Sequence, residues 1–438
     1  IKPIEVRKPV KKVKKAAPPP PPKPKTPWTL PKSIWGPRKK YCDAKEFYDK
    51  ECLKKAFVCD WNEARESGSL EKLIGKHSVP GGKASAEQVE YATKGVEEIF
   101  LKNLKLIYSI FDYYAAYGTS SDIFHLQLNA YTALITDCGF VESGSEFTAA
   151  AHFDQLFIAV NAGADKGDKH NHKKGVNRQE LLSCIVRFAV MRHCLSRGMV
   201  NVPDAVSVLI EEMDAAVCPQ AKQVSDVFRE AHCYNERTDA VLRKHESSLR
   251  LIFKAYAHGD GRIGDAFEDS NLLGFTEYND VLDDFGLIDQ QFTASMGTLC
   301  FSWCRMRVID ESGDTKRPKL VQLSFEDFLE ALVRIATMKS LPTDDEIEVM
   351  GACDGGQFLL MLREDPAMYD EFMESHDPAW GEPLLQPADR SADHLCTLLM
   401  RLVKGSKDTT NLVLEQKETT LFQKSGGGGG ARGGGDGE

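Results

Sequence analysis

Apolar residues recur along most of the chain with the spacing of an α-helix, and polar stretches separate these segments. Leu249, Ile252, Phe253 and Tyr256, for example, lie at i, i+3, i+4 and i+7, which places them on one helical face. Apolar residues resume after a polar stretch, and Gly286 ends the second helix because glycine adopts left-handed backbone at little cost. The pattern predicts a mainly α-helical protein built from helix–loop–helix units.

The chain repeats this pattern. Residues 110–115 read IFDYYA and residues 252–257 read IFKAYA, and three further landmarks follow in the same order after each. These are DCGF at 137–140 and DFGL at 284–287, FTA at 147–149 and 292–294, and VRFA at 186–189 and VRIA at 333–336. A repeated order of landmarks indicates a duplicated folding unit. Each copy contains two units, so we expect four, at about 104–140, 147–194, 245–288 and 292–338.

This helix–loop–helix order resembles the EF-hand superfamily to which calmodulin belongs. The resemblance implies two tandem EF-hand-like pairs, at residues 93–198 and 241–345, joined by a helical linker at 199–240. The other predicted segments are a basic proline-rich arm at 1–40, an aromatic-rich clasp at 41–92, a helical appendage at 346–424 and a disordered glycine-rich tail at 425–438.

The loops depart from the calcium-binding pattern, which requires oxygen ligands at positions 1, 3 and 5, a glycine at 6 and a glutamate at 12. The first unit has Ala130 at position 12, and lysines replace ligands in the second and fourth, at Lys169, Lys173 and Lys316. The loops are also longer than twelve residues. We therefore expect degenerate, structural hands with no metal or other cofactor.

The third loop is the least altered, and it keeps calcium open as the alternative cofactor. Position 12 holds Glu277, although Ala266 stands where the first ligand belongs. The weak calcium candidates are Asp265, Glu268, Asp269 and Glu277.

Charge is divided unevenly between the first 40 residues and the rest. Residues 1–40 hold 13 Lys or Arg and one acidic residue, whereas the remainder holds 42 basic and 64 acidic residues. Proline and charge at this density predict an extended arm that binds an acidic polymer or surface. The candidate partner-binding cations are Lys11, Lys12, Lys14, Lys15, Lys23, Lys25, Arg38, Lys39 and Lys40.

Several partners are compatible with this arm. The acidic body disfavours nucleic acid, because it repels phosphates. The proline run at 18–22 could bind an aromatic groove that recognises polyproline. The lysines could instead bind the acidic tails on the surface of microtubules. The remaining interpretation is that the arm is a solvated linker that binds no partner.

Bulky aromatic residues follow the arm too densely for a linker. They are Trp35, Phe47, Tyr48, Phe57 and Trp61. They pack either on the chain's own body or on a partner, and we favour the chain itself because burial in a core is the commoner fate of aromatic residues.

Two strings match nucleotide-enzyme motifs by chance. The GxGxxG string at 259–264 follows a predicted helix, whereas the dinucleotide motif must follow a strand. The DFG string at 284–286 is too close to it for a kinase catalytic loop. We therefore predict no enzymatic activity. No apolar stretch is long enough for a membrane span.

Cysteine and histidine do not form a convincing metal site either. Four lysines surround the aspartates and histidines of the loop at 165–174, which opposes binding of a divalent cation. Cys300 and Cys304 lie among apolar residues of one predicted helix and are expected to be buried thiols.

The sequences at the ends of the two copies resemble one group of proteins within this superfamily. The strings ELLSCIVRFA at 180–189 and FLEALVRIA at 328–336, after long degenerate loops, resemble EF-hand-like proteins of ciliary and flagellar axonemes. The lysine–proline leader and terminal glycine run are similar to those of green-algal flagellar-associated proteins. The resemblance implies a structural or adaptor subunit in the cytoskeleton of the axoneme.

We expect its partners to be tubulin or other axonemal proteins, and amphipathic helices that enter the groove of each pair. Neither nucleic acid nor a membrane is an expected partner. The alternative is a calcium-responsive adaptor that acts through the third loop.

Overall fold

Amphipathic segments form helices throughout the described part of the protein. The computed structural model describes residues 27–117, 122–162, 175–257, 272–313, 316–376, 378 and 380–405. The predicted mainly α-helical class is confirmed, with only two short β-ladders in these residues. No helix in the same ranges has both the length and the apolar character that crossing a bilayer requires.

The first half of the chain contains the N-terminal helices and the first pair. The elements are α1 (Arg38–Tyr41), α2 (Lys50–Arg65), α3 (Ser69–His77), α4 (Ala86–Tyr117), β1 (Leu126–Gln127), α5 (Leu128–Asp137), α6 (Ala150–Asn161), β2 (Gly175–Val176), α7 (Arg178–Ala189), α8 (Val202–Ala216) and α9 (Ser225–Phe228). Short π-helical turns, Val190–Leu195 and Arg229–Cys233, continue α7 and α9.

The second half contains the second pair and the C-terminal helices. The elements are α10 (Glu236–Tyr256), β3 (Leu273–Gly274), α11 (Phe275–Asp284), α12 (Ala294–Cys304), α13 (Arg317–Val321), β4 (Gln322–Leu323), α14 (Phe325–Met338), α15 (Asp344–Met350), α16 (Gly355–Leu362), α17 (Pro366–Ser375) and α18 (Ala388–Gly405).

Each pair of units is joined by one antiparallel ladder of two residues per strand. In the first pair Leu126 lies opposite Val176, and in the second Leu273 lies opposite Leu323. All four side chains are buried. Each ladder therefore fixes the starts of two exiting helices side by side, and the two copies share one order of helix, loop, strand and helix.

The first helix of each pair is longer than the repeat indicated. Helix α4 begins at Ala86 and α10 at Glu236, upstream of the predicted boundaries at 93 and 241. Their N-terminal turns lie outside the duplicated landmarks. Val89 of α4 lies beside Gly75 of α3, and Asp239 of α10 accepts from Trp28 and Ile34.

The buried residues form two large apolar cores. The first joins α2, α3 and α8 to the helices of the first pair, and the second joins the C-terminal helices to the second pair. Ile123, in the first pair, contributes to the second core, as do Ile34 and Trp35 near the N-terminus. The two pairs are thus connected through shared packing.

The stretch at 27–40 is part of the folded body. The indole nitrogen of Trp28 donates to Asp239 at 3.0 Å, and the backbone N–H of Ile34 donates to the same carboxylate at 2.7 Å. Trp35 is completely buried. An extended arm that continues to residue 40 is therefore wrong for this stretch, because its apolar residues are buried against α10; residues 1–26 lie outside the described ranges.

The aromatic clasp packs on its own chain, as expected. Phe57 and Trp61 of α2 enter the first core, while Trp35 and Phe47 enter the second. Tyr48 is half-buried and packs edge-on against Tyr234. The clasp therefore bridges both cores and is not an open docking segment.

Gly356 allows α16 to pack closely against α18. A Cβ atom at Gly356 would lie 2.5 Å from the backbone nitrogen of Leu398, closer than real atoms approach. We expect Gly356→Ala to lower the free energy of unfolding by about 1–3 kcal/mol, because backbone on both sides leaves no room to adjust. Urea unfolding of the full chain measures this loss.

The matched control is Gly313→Ala. A Cβ atom there would lie 3.4 Å from the Asp310 side chain, an ordinary contact. Equal stability of the Gly356→Ala and Gly313→Ala chains would contradict the close approach of α16 and α18.

Candidate functional site

The groove of the first pair is the first expected docking site, and helices of the same chain fill it. Helix α8 packs against both α4 and α7, the first and last helices of the pair. Its buried residues are Val202, Ala205, Val206, Leu209, Ile210 and Met213. Helix α2 also packs against α7. The apolar surface available to a partner helix at α4 and α7 is therefore already covered.

The second pair is covered in the same way. Helix α18 packs against α10 and α14, again the first and last helices, and buries Ala392, Leu395, Cys396, Leu398 and Leu399. Helix α14 is buried at every position from Phe325 to Ala336. At the edge of this contact, His245 and Lys244 bond to Asp393 at 2.6 and 2.9 Å.

This arrangement contradicts the expectation that a partner's amphipathic helix enters each groove. In both pairs the helix that occupies the position follows its pair along the chain, α8 after the first pair and α18 after the second. In each pair a further helix of the same chain thus completes the core. The sequence repeat did not reveal this, because the filling helices share no landmark.

The carboxylates at the twelfth loop position serve the exiting helices in two units. Glu180 accepts from the backbone N–H of Asn177 at 2.9 Å, and the Asn177 side chain accepts from the Glu180 N–H at 2.9 Å. Ser324 and Asp327 form the equivalent capping box in the fourth unit. Capping boxes satisfy backbone donors that a helix start leaves unpaired. These carboxylates therefore stabilise α7 and α14.

Asp327 also binds a cation from the N-terminal segment. The Nε of Arg38 lies 3.1 Å from an Asp327 oxygen, and Arg38 Nη1 donates to the Phe47 carbonyl at 3.0 Å. Arg38 and Asp327 are 1 % and 0 % exposed. Arg38 was predicted to bind a partner, and that prediction is wrong because its guanidinium is buried in this pair.

The remaining predicted site residues are placed as follows. Lys39 and Lys40 are exposed on α1 and accessible to a partner. Lys11, Lys12, Lys14, Lys15, Lys23 and Lys25 lie outside the described residues, as do Asp265, Glu268 and Asp269 of the third loop.

Glu277 is the one calcium candidate that the structure describes. It lies in the first turn of α11, and its carboxylate packs close to Gly274, the residue that precedes the helix. Because glycine has no side chain, it cannot accept from the Glu277 backbone N–H as Asn177 and Ser324 accept at their helices. Within the described residues, the Glu277 carboxylate also accepts no hydrogen bond of the kind that the Asn177 and Ser324 backbone N–H groups donate to Glu180 and Asp327.

Buried arginine–carboxylate pairs connect the regions of the chain. Arg178 of the first pair binds Asp60 of α2 through Nε at 2.5 Å and Nη2 at 3.0 Å. Arg229, after α9, binds Asp49 at 2.6 Å and Glu330 of α14 at 2.7 Å. Burial acts to raise the pKa of Asp49, but the charge of Arg229 and other arginines outweighs it and holds that pKa below its usual value.

Asp112 links the two pairs directly. This α4 residue is 1 % exposed and lies 3.0 Å from Arg305 Nη2 and 2.8 Å from Arg307 Nη1, both just after α12. One carboxylate of the first pair is thus shared by two cations of the second. These pairs were not predicted, because their partners are far apart in the chain.

A cavity of about 390 Å³ lies between the end of α14, the turn after α9 and residues 376–386. Two of its polar lining groups, Lys339 and His376, have structural partners. Lys339 donates to the Leu287 carbonyl at 3.1 Å, and His376 bonds to Glu346 at 2.6 Å. The first contact joins the end of α14 to the turn after α11, and the second joins α15 to the end of α17.

The environments of Cys300 and Cys59 favour protonated thiols. Burial raises the pKa of Cys300 to about 12, and Cys300 and Cys304 are completely buried as predicted. Cys59, Glu63 and Asp310 have potential ligand atoms within 4.8 Å of one another. Burial and then the nearby Glu63 raise the pKa of Cys59 to about 12, which disfavours the thiolate that a metal requires.

Loss of Asp112 would leave the buried Arg305 without its ion-pair partner and Arg307 with only a 3.9 Å contact to Asp49. We expect Asp112→Ala to lower the free energy of unfolding by about 3–5 kcal/mol, because a buried charge without its partner is costly. Urea unfolding of the full chain measures the loss. The control is Glu246→Ala, which removes a partly exposed i,i+4 pair with Arg250 and should change stability by about 1 kcal/mol or less. Similar losses in both variants would contradict the role of Asp112.

Comparison with known proteins gives no relative: no protein-family model, no curated protein and no solved structure matches this chain. The proposals below therefore rest on the contacts described above and on the patterns of the sequence.

Proposed function

We propose that this protein is a non-enzymatic structural adaptor of a microtubule-associated complex in the ciliary or flagellar axoneme. Its four units are proposed to be two EF-hand-like pairs that hold their shape without calcium. The observation that carries the proposal is that a helix of the same chain covers the first and last helices of each pair. The assignment to the axoneme rests on the sequence resemblance.

The covered grooves support a scaffold in preference to a sensor. A calmodulin-type sensor exposes an apolar groove when calcium binds, and its target helix then enters that groove. Here α8 and α18 are continuous with the chain and keep the corresponding faces buried. Exposing either face would remove large apolar side chains from a core.

The fixed carboxylates support independence from calcium. Glu180 and Asp327 already accept backbone hydrogen bonds, and Asp327 is paired with a buried arginine. A calcium ion would have to replace these bonds at the start of α7 and α14. The second and fourth units are therefore proposed to use their carboxylates for folding.

The basic N-terminal residues supply the proposed contact with microtubules. Nine of the 13 basic residues in 1–40 precede Trp28, where the chain joins the folded body. Lys39 and Lys40 add exposed charge on α1. An acidic polymer such as the tubulin tails is the surface that these charges favour.

This contact predicts salt-sensitive binding to microtubules. Deletion of residues 1–40 is unsuitable as a test, because Trp28 to Arg38 contribute to the fold. We therefore propose Lys→Gln substitution at Lys11, Lys12, Lys14, Lys15, Lys23 and Lys25. The affinity in co-sedimentation at low salt should fall by about tenfold or more, since screened charge attraction is lost.

The matched control replaces the same six lysines with arginine, which preserves the charge. That variant should pellet with microtubules as the parent chain does and should lose binding as salt rises. Equal pelleting of the glutamine and arginine variants would reject electrostatic docking through the N-terminal residues.

A calcium-responsive adaptor is the second candidate, and Glu277 favours it. This carboxylate lacks the capping bonds that hold Glu180 and Asp327, so a cation could use it without breaking a helix cap. Calcium binding would therefore break fewer helix-capping bonds in the third unit than in the second or fourth.

Calorimetric titration of the full chain with calcium separates the two candidates. For the scaffold we expect no saturable heat at micromolar calcium, because the loop lacks its first ligand. A micromolar isotherm that Glu277→Gln abolishes and Asp280→Asn preserves would instead establish the calcium-responsive function. Asp280 is a suitable control because it is exposed on the same helix, α11.

A further inference from the structure

Helix α6 presents an apolar surface that no described residue covers. Its inner face, with Phe153, Leu156 and Phe157, is buried in the first core. The outer face is exposed and is formed by Ala150, Ala151, Asp154, Gln155, Ile158 and Ala159. Asp154 is the one charged side chain of this outer face, and Ile158 is 67 % exposed. A solvated helix face usually carries charged residues, so the outer face of α6 has the composition of a contact surface.

The equivalent helix of the second pair, α12, is covered. The counterpart of Ile158 is Ser302 when the first residues of α6 and α12 are aligned, and Trp303 when the FTA strings are aligned. Both counterparts are buried. Helix α12 packs against α14 of its own pair and also against α4 of the first pair, whereas α6 packs mainly against α7 and β2 of its own pair. The first pair thus helps to cover α12, and α6 lacks a similar cover among the described residues.

The face of α4 that meets α12 also has an exposed counterpart. Asp112 marks this face, because its carboxylate binds Arg305, the residue directly after α12. Ser109, one turn earlier, lies on the same face and is buried. The repeat of IFDYYA as IFKAYA makes Leu251 and Lys254 of α10 the equivalents of Ser109 and Asp112. Leu251 is 70 % exposed and Lys254 is exposed, so this face of α10 is open.

The contact between the two pairs therefore joins two different surfaces and leaves one of each kind unused. Helix α4 of the first pair meets α12 of the second, while α6 of the first pair and α10 of the second keep the equivalent faces open. The charges of the two open faces are complementary, because α6 carries Asp154 and α10 carries Lys254. An interface between two different surfaces can repeat from one molecule to the next.

We propose that the protein self-associates head to tail, with the outer face of α6 in one copy packed on the Leu251 face of α10 in a second copy. The contact repeats between molecules the packing of α12 on α4 within one molecule. It removes Ile158 and Leu251 from water and brings Asp154 towards Lys254. Each copy carries both surfaces, so further copies add at either end. This association goes beyond the proposed function and requires neither calcium nor a microtubule.

Sedimentation velocity of the full chain at increasing concentration tests the association. We expect the weight-average mass to rise about twofold or more above that of the monomer, because each added copy leaves a free surface at both ends. Ile158→Lys and Leu251→Lys each place a charge in the apolar contact and should remain monomeric. Both positions are exposed, so circular dichroism should show an unchanged fold. The control Val349→Lys, at an exposed apolar position of α15, should associate as the parent chain does.

Mixing the two variants tests the head-to-tail arrangement. Ile158→Lys keeps an intact α10 surface and Leu251→Lys keeps an intact α6 surface, so an equimolar mixture should form a dimer and stop there. A parent chain that stays monomeric at every concentration would overturn the proposal, and that measurement requires no variant. Association of either single variant to the extent of the parent chain would also overturn it. A mixture that stays monomeric would show that α6 and α10 are not partners.

Discussion

The buried pairing of arginine with carboxylate is the constraint on which the arrangement of this protein depends. Asp112 of the first pair binds Arg305 and Arg307 of the second, and Asp60 of α2 binds Arg178. Arg229 binds Asp49 near the N-terminus, Asp226 of α9 and Glu330 of α14. Buried ion pairs add little net stability relative to apolar packing, but an unmatched member is costly. Any shift of one pair of units against the other would leave several charges unmatched at once. The network therefore selects one relative placement of the parts, while the apolar cores supply most of the stability.

The internal helices explain why a duplicated unit can persist without a ligand. A helix pair has an apolar face on its first and last helices, and that face must be covered by calcium-dependent closure, by a partner or by the chain itself. Helices α8 and α18 provide the third solution in both copies. The cover is permanent because each helix is joined covalently to the pair that it covers. What was duplicated is therefore compatible with a rigid module, and docking is left to surfaces outside the grooves.

The sequence predicted the features that are encoded locally. Apolar spacing indicated the helices, and the repeat indicated two blocks that share an order of helices and strands. The errors concerned partners that are distant in sequence. Arg38 lies in the same basic segment as Lys39 and Lys40, so the sequence does not distinguish its role from theirs. Its carboxylate partner, Asp327, is 289 residues away. A local clue did exist in α14, where Glu330 and Arg334 interrupt an apolar run at i,i+4 spacing and bond to each other at 2.7 Å. Charges within an otherwise apolar helix indicate a buried pair, because neither would be stable there alone.

Under the proposed EF-hand-like assignment, a side chain in the fourth unit would take over the electrostatic part of a bound ion. Its twelfth loop position is Asp327, and the cation beside this carboxylate is the guanidinium of Arg38, supplied by the N-terminal segment. A calcium ion can dissociate, so a hand that depends on it is reversible and reports concentration. A guanidinium is part of the chain, so its presence at the site does not depend on the concentration of a free ion. It also remains charged at any physiological pH. The same contact attaches residues 27–40 to the second pair and holds Lys39 and Lys40 at one position on the body. Under the proposed EF-hand-like assignment, the carboxylate that would bind calcium in a sensor instead anchors this segment.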